Sequence, residues 1–286
     1  MQPGADSPNA DQIAYWNSEA SVRWLSRQQQ LDAMLEPLML WALDQAAPRS
    51  GEQVVDVGCG CGASVLELAR RVGPSGAVVG VDVSEPMLGQ ARERVAGAGF
   101  ANTTLMLADA STAQLGVAKF DLVFSRFGVM FFRNPVQAFA NLKQALKPEG
   151  RIAFVCWQPL KANPVFLVPL KAAGAFGPPR VAPQPDEPGP FAFGDPERVR
   201  RILGDAGLRE VMFTPHDLTM RMAGPGDVAA AEEYATQTGP VARVLADLAP
   251  EARAAARAAV RDALRRYDGP DGIALAGAIW LVTARS

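Results

Sequence analysis

Apolar positions along this chain follow two alternating rhythms. Short apolar or β-rich runs at Val54–Val57, Ala77–Val83, Thr103–Ala108, Phe120–Ser125 and Arg151–Trp157 have strand length and are bounded by turn residues. Between them lie helix formers with apolar residues at helical spacing, as in Ala63–Val72 (ASVLELARRV). A second such helix starts after Ser84 as its cap and is stopped near Ala96 by Gly97-x-Gly99. A third has Asn134 as its cap and Pro135 at its first position, and runs to Lys147 before Pro148-Glu149-Gly150. Strands apolar on both faces and separated by helices predict an α/β fold with a doubly wound, mostly parallel sheet. Ligands of such a sheet bind at the carboxyl ends of its strands.

Outside this core the rhythm changes. Residues 1–9 read as a loose tail, and 11–47 as cap helices with apolar faces from Trp16, Trp24, Leu31, Met34, Leu35, Leu38 and Trp41. Pro37 is expected to interrupt or kink that segment, and Pro48-Arg49-Ser50-Gly51 to end it. After Trp157 comes a short apolar helix, Pro164–Ala173, and then the proline-rich PPRVAPQPDEPGP. Asp195-Pro196-Glu197 opens a helix that stops at Gly207, Val211–Met222 and Gly272–Ala284 read as strands, and 226–268 between them as helical. The expected organisation is thus a cap (1–47), a core (48–157), a lid insertion (158–194) and a C-terminal part of the core (195–286) with a helical insertion (226–268). The sheet has seven strands.

Composition narrows the partners. A net charge of −2 provides no field for nucleic acid or an anionic membrane, so a small molecule is the expected partner. The first dozen residues are unlike a targeting peptide, and Ile273–Val282 is too short to span a bilayer, so no transmembrane segment is expected. Three cysteines among 286 residues give no disulfide framework and point to a reducing, cytoplasmic location.

The candidate chemistry sits where the first strand runs into its helix. Val54–Val57 leads through Gly58-Cys59-Gly60-Cys61-Gly62 into ASVLELARRV, which brings bare backbone N–H groups up to a ligand. Gly58-x-Gly60-x-x-Ala63 also satisfies a relaxed dinucleotide fingerprint, so the glycines alone leave nicotinamide cofactors and other adenosine ligands open. Asp56 weighs against a pyrophosphate and in favour of the ammonium and sulfonium of S-adenosylmethionine (SAM); the bland alternative is that it only bonds loop amides. Asp56, Asp82 and Asp109 close successive strands at intervals of 26 and 27 residues, which aligns all three along one sheet edge. An acid ending the second strand can accept from both ribose hydroxyls, and one after the third from the adenine amino group.

These residues resemble those of the class I SAM-dependent methyltransferases, especially the small-molecule enzymes of ubiquinone and menaquinone biosynthesis. The similarity rests on VVDVGCGCGASVLELA, VVGVDVSEPMLGQAR, LADA, FDLVFSRFGVMFFRNPVQAFANLKQALKPEGRIAF and WLVTARS. The resemblance implies a Rossmann-like methyltransferase fold with a helical cap and SAM as cofactor. It further implies that Gly58, Gly60 and Gly62 pass under the methionine part and that Asp56 organises its ammonium. Asp82 with Val83 would serve the ribose, Met87 the adenine face, Asp109 and Ala110 the adenine rim, and the backbone at Ser125 and Arg126 the methionine end. Val155-Cys156-Trp157-Gln158-Pro159, Glu149, the N-terminal helices and 158–194 depart from the quinone enzymes, which leaves the acceptor open.

The remaining constellations are weaker. Cys59-x-Cys61 is too tight for a zinc pair and the one histidine is distant in sequence, so no metal is expected. Arg253, Arg257, Arg261 and Arg265 read as a solvated helix face pairing with Glu251 and Asp262. His216 and Asp217 point to opposite faces of a strand and form no dyad; a base role for His216 is the minor reading. Trp16, Trp24, Phe127, Met130, Phe131, Trp157 and Phe166 are the candidate acceptor contacts, and an apolar pocket drawn from them suits an uncharged or singly anionic acceptor. The expected reaction is in-line displacement at the sulfonium methyl. A nicotinamide-dependent oxidoreductase, and a SAM-binding cyclase or binding module without methyl transfer, are the rival readings.

Overall fold

Valine and phenylalanine side chains covered on both faces make the parallel heart of the sheet. The computed structural model describes residues 7–178, 187–237 and 239–286; the extreme tail (1–6) and the proline-rich stretch 179–186 lie outside the described residues. The strands are β1 (Gln53–Val57), β2 (Ala77–Asp82), β3 (Thr103–Leu107), β4 (Phe120–Arg126) and β5 (Leu146–Trp157). β1 pairs in parallel with both β2 and β4, β2 with β3, and β4 with β5. The chain returns through α4 (Ala63–Val72), α5 (Glu85–Ala98) and α6 (Pro135–Ala145), with α4 packed on β1 and β2 and α5 on β2 and β3. Adding β6 (Arg209–Ala223) and β8 (Gly272–Arg285) gives the order β3-β2-β1-β4-β5-β8-β6. The seven expected strands form this path, and a two-residue strand, β7 (Asp268–Gly269), pairs antiparallel with β8 as an eighth. The order reverses between β1 and β4, which opens a crevice at their carboxyl ends.

Two local expectations are corrected. The N-terminal segment is three helices, α1 (Ala10–Trp16), α2 (Glu19–Leu25) and α3 (Gln28–Ala46). Its breaks fall at Asn17-Ser18 and Ser26-Arg27, where Ser18 caps α2, and not at Pro37, which lies inside a continuous α3. Pro37 is exposed, so water can satisfy the carbonyl that its ring leaves without a donor. The second correction concerns α6, which ends at Ala145, so Lys147–Gly150 belongs to β5. β4 advances from Phe120 to Leu122 while β5 advances from Leu146 to Arg151. The extra residues form a bulge that accommodates Pro148, and Lys147 is drawn to Asp121 at 2.8 Å.

The chain divides into two compact units. The first comprises Met1–Cys156, Pro188–Pro215 and Trp280–Ser286; the second comprises Trp157–Glu187 and His216–Ile279. α8 (Pro196–Asp205), capped by Asp195, packs on α6 in the first unit. The second unit holds α7 (Pro164–Gly174), α9 (Val228–Gln237), α10 (Gly239–Ala246) and α11 (Pro250–Leu264), with α7 against α10 and α11, and α9 against both as well. The arginine stripe on α11 is solvent-exposed as expected, but its main acidic partner comes from another helix of this unit. Arg257 and Arg261 reach Glu232 of α9 at 2.6 and 2.8 Å, and Glu232 is 1% exposed. Arg253 donates to the Leu245 and Leu248 carbonyls at the end of α10. Arg265 does pair with Asp262, but the acid that organises the stripe is Glu232, which packing brings in from another helix.

Candidate cofactor site

The loop after β1 is held open to a ligand by close backbone packing. Gly58 adopts φ 69°, and a Cβ on it would lie 2.7 Å from the Cα of Gly128, in the turn after β4. A Cβ on Gly128 would in turn lie 2.5 Å from the Val57 carbonyl oxygen. Two glycines therefore let the β1 and β4 ends touch, and any side chain would force them apart. Ser125, fully buried, stitches the same ends: its hydroxyl donates to the Val57 carbonyl at 2.7 Å and accepts from the Gly128 amide at 3.1 Å. Gly128 was not singled out from the sequence, because its need for a bare backbone comes from a partner seventy positions away. Phe127, beside it, is a non-glycine residue at φ 64°, local strain of the kind that clusters at functional sites.

Asp82 ties two loops together. Its carboxylate accepts from the Gly60 amide at 2.7 Å and the Ser84 amide at 2.8 Å. Burial pushes its pKa up, while the amides of Ser84, Gly60 and Val83 pull it back. Lone pairs remain on both oxygens for a diol. Met87 is buried beneath this loop, with its sulfur 3.9 Å from the point where a Cβ on Gly60 would sit.

Asp56 is completely buried on β1. The bland expectation for it, bonds to loop amides, is not what the structure contains: its Oδ2 accepts from the Ser64 hydroxyl in the first turn of α4 at 2.5 Å, and its Oδ1 has no hydrogen-bond partner. Burial raises its pKa to about 7 against the pull of Ser64 and Arg126. Arg126, at the end of β4, also has a buried nitrogen, Nη1, without a partner, and burial lowers its pKa.

The N-terminal segment is pinned to this edge. Asp109 accepts from the Ser7 hydroxyl (2.7 Å), the Asn9 side-chain amide (3.0 Å) and the Ser111 amide (2.9 Å), and Ala110 beside it is buried. Asn9, 5% exposed, also accepts from the Arg133 amide at 2.7 Å, so residues 7–9 are not the loose tail expected. At the other end of α1, Asn17 donates to the Val83 carbonyl (2.8 Å) and accepts from the Glu85 amide (3.1 Å). Farther along, Arg94 of α5 bonds the Cys61 carbonyl at 2.7 Å and pairs with Asp32 of α3 at 2.9 Å. Ser7, Asn9, Asn17, Asp32, Ser64 and Arg94 were missed from the sequence; only Ser64, in the first turn after the glycine loop, carried a local signal.

The aromatic candidates fall into two groups. In the first unit the Trp16 ring lies edge-on to Phe131 (5.5 Å) and Trp24 (5.9 Å), while Met130 is 1% exposed and packs in the core. In the second unit Trp157 and Phe166 meet edge-on at 4.9 Å. His216 lies half-buried on β6 and its neighbour Asp217 is exposed, the alternation expected of a strand. Burial raises the pKa of Cys59, and that of Cys61 to about 11. No group of three metal-ligating residues occurs among the described residues.

An orphaned carboxylate oxygen on β1, a carboxylate at the end of β2 and a bare-backbone cradle after β1 fit the amino acid, ribose and thioether of SAM. A family profile described as "Methyltransferase domain" matches residues 54–150. Nocamycin O-methyltransferase of Saccharothrix syringae is 32% identical over 196 residues, which span 65% of this chain and 69% of that protein. The ubiquinone/menaquinone biosynthesis C-methyltransferase UbiE of Ralstonia pickettii is 31% identical over 184 residues, 61% of this chain and 74% of that one. In fold, the chain is similar to the YcgJ protein from Bacillus subtilis, with a TM-score of 0.56 at 16% identity over 87% of this chain and 97% of that one. The nicotinamide and binding-module readings therefore give way: this chain belongs to the class I SAM-dependent methyltransferases and is an enzyme of that family.

Proposed function

We propose that this methyltransferase acts on a small, largely apolar acceptor, uncharged or carrying a single negative charge, of the phenol, quinol or polyketide-like type. The observation that carries the reading is the aromatic cluster of Trp16, Trp24 and Phe131, which offers a docking acceptor large flat surfaces and few groups to pair a buried charge. Relatives named for nocamycin O-methylation and for a C-methylation of quinone biosynthesis support it.

When bound, SAM supplies a methyl group activated by its sulfonium. The chain's own task is to hold the partners in line and exclude water. In this reading Asp82, with Val83 beside it, takes the ribose hydroxyls, Met87 packs on the adenine, and Asp109 and Ala110 meet its rim. Gly58, Gly60 and Gly62 cradle the methionine, Asp56 takes its ammonium, and the backbone at Ser125 and Arg126 closes that end. An acceptor of low pKa needs no strong base, so His216→Ala should lower the single-turnover rate less than tenfold, against the roughly 10²–10⁴-fold of a true general base. Three free cysteines suit a protein of the reducing cytoplasm.

A methyl-donor turnover screen tests the acceptor class. Phenols, quinols and polyketide-like acids should be methylated, while nucleotides, sugar phosphates and lysine-rich peptides should not. Preference for a phosphorylated or polycationic acceptor would overturn the reading.

A further inference from the structure

Among the described residues, two of the buried side-chain nitrogen and oxygen atoms without a hydrogen-bond partner belong to charged groups: Asp56 Oδ1 and Arg126 Nη1. They stand on adjacent strands. Asp56 pairs with Phe124 across β1 and β4, two residues before Arg126, and the next residues are joined by the Ser125–Val57 bond. The acids nearest Arg126 are committed elsewhere. Asp56 is bonded to Ser64, and Asp32 is tied to Arg94 and to Gln28. Asp32 and Asp56 hold the guanidinium electrostatically, opposed by Arg94, and neither forms an ion pair with it.

Arg126 is half-buried, and a charged nitrogen such as its Nη1, buried without a partner, is a costly arrangement that a bound ligand would complete. The two orphans are of opposite sign. Asp56 Oδ1 lacks a donor, which an ammonium supplies, and Arg126 Nη1 lacks an acceptor, which a carboxylate supplies. One chemical group carries both on a single carbon, an α-amino acid. We propose that the Arg126 side chain is the carboxylate receptor of this site and, together with Asp56, reads the α-amino-acid end of the cofactor's methionine. This deepens the cofactor reading and rests on it, giving a binding role to a side chain whose backbone alone was expected to matter. An acidic acceptor is the other source of the same carboxylate.

The test compares S-adenosylhomocysteine (SAH) with 5′-methylthioadenosine, which has the adenosine and thioether but no amino-acid end. Calorimetry is run on wild type, Arg126→Gln and Arg126→Lys. Arg126→Gln should weaken SAH about 10- to 100-fold, the range for a hydrogen bond to a charged group, and leave methylthioadenosine within about twofold. Arg126→Lys should recover part of the loss. The ligand-free melting temperature of Arg126→Gln should equal or exceed wild type, since the change removes an unpartnered buried charge. A second titration, of SAH-saturated protein with 2-naphthoate and its methyl ester, reads the acceptor as source: loss of naphthoate binding alone in Arg126→Gln would keep the carboxylate role and move it to the acceptor. Wild-type behaviour of Arg126→Gln in both titrations, or equal loss of SAH and methylthioadenosine, overturns the proposal. Failure of wild type to bind SAH would instead count against the cofactor reading beneath it.

Discussion

Single carboxylates do different work here because their surroundings differ. Asp82 is half-buried and braced by backbone amides, so it stays available to a diol, whereas Asp56 is sealed on β1 with one oxygen unmatched. If Asp82 accepts from both ribose hydroxyls, Asp82→Ala should weaken SAH by about 1.5–3 kcal/mol, in the range for hydrogen bonds to a charged group. Titration calorimetry decides this, and wild-type affinity in the variant would remove Asp82 from the site. Asp109 differs again. Three donors from Ser7, Asn9 and Ser111 already occupy it, so its first role in the fold is to anchor the N-terminal segment.

At the scale of elements, α1 is the clearest case of structure imposed from outside. Seven residues are too few for a helix to persist alone, and α1 has no fully buried residue. It is held between Asn9, on the loops after β3 and β4, and Asn17, on the loop after β2, and it carries Trp16 to Phe131. Asn17→Ala removes two hydrogen bonds at one end, of about 1 kcal/mol together because both are exposed. Amide exchange over 10–16 should then quicken about fivefold, and acceptor KM should rise with little change in melting temperature. Unchanged exchange would mean that Asn9 alone suffices. In the second unit, Glu232 does the comparable work of joining α9 to α11.

Across the whole molecule, the buried acids pull pH dependence in opposite directions. Paired carboxylates such as Glu67, lowered by Arg70 and Arg71, and Glu232, where two arginines outweigh burial, add stability that is present above pH 4.5 and lost as pH falls through their folded values. Asp56 has the other sign. Its folded pKa, about 7, lies above its usual 3.8, so its contribution is full below that lower value and is lost as pH rises towards 7. An ammonium placed on Oδ1 would reverse this by expelling the proton. SAH affinity should therefore rise with pH, by up to about tenfold per unit below pH 7, and level off above it. Calorimetry at pH 6 in buffers of different ionisation enthalpy should register a released proton, absent in Asp56→Asn. Binding without proton release would separate Asp56 from the ammonium.

The alternation of strands and helices, the caps at Ser84 and Asn134, and the three acids at one sheet edge were legible in the sequence because each is encoded locally. Hydrophobic period, capping and a repeat of one strand–helix turn act over a few residues or a fixed interval, so they survive without knowledge of the partner. What the tertiary structure alone decided lies between distant positions. Gly128 against Gly58, Asn9 on Asp109, Glu232 between two arginines, and the unmatched ends of Asp56 and Arg126 depend on which strands neighbour and in what register. The broken helices before Asn17 and Ser26, the strand that absorbs Pro148, and the continuous helix through Pro37 follow the same logic. In each, packing and solvent exposure overrode a local preference of about a kilocalorie or a few.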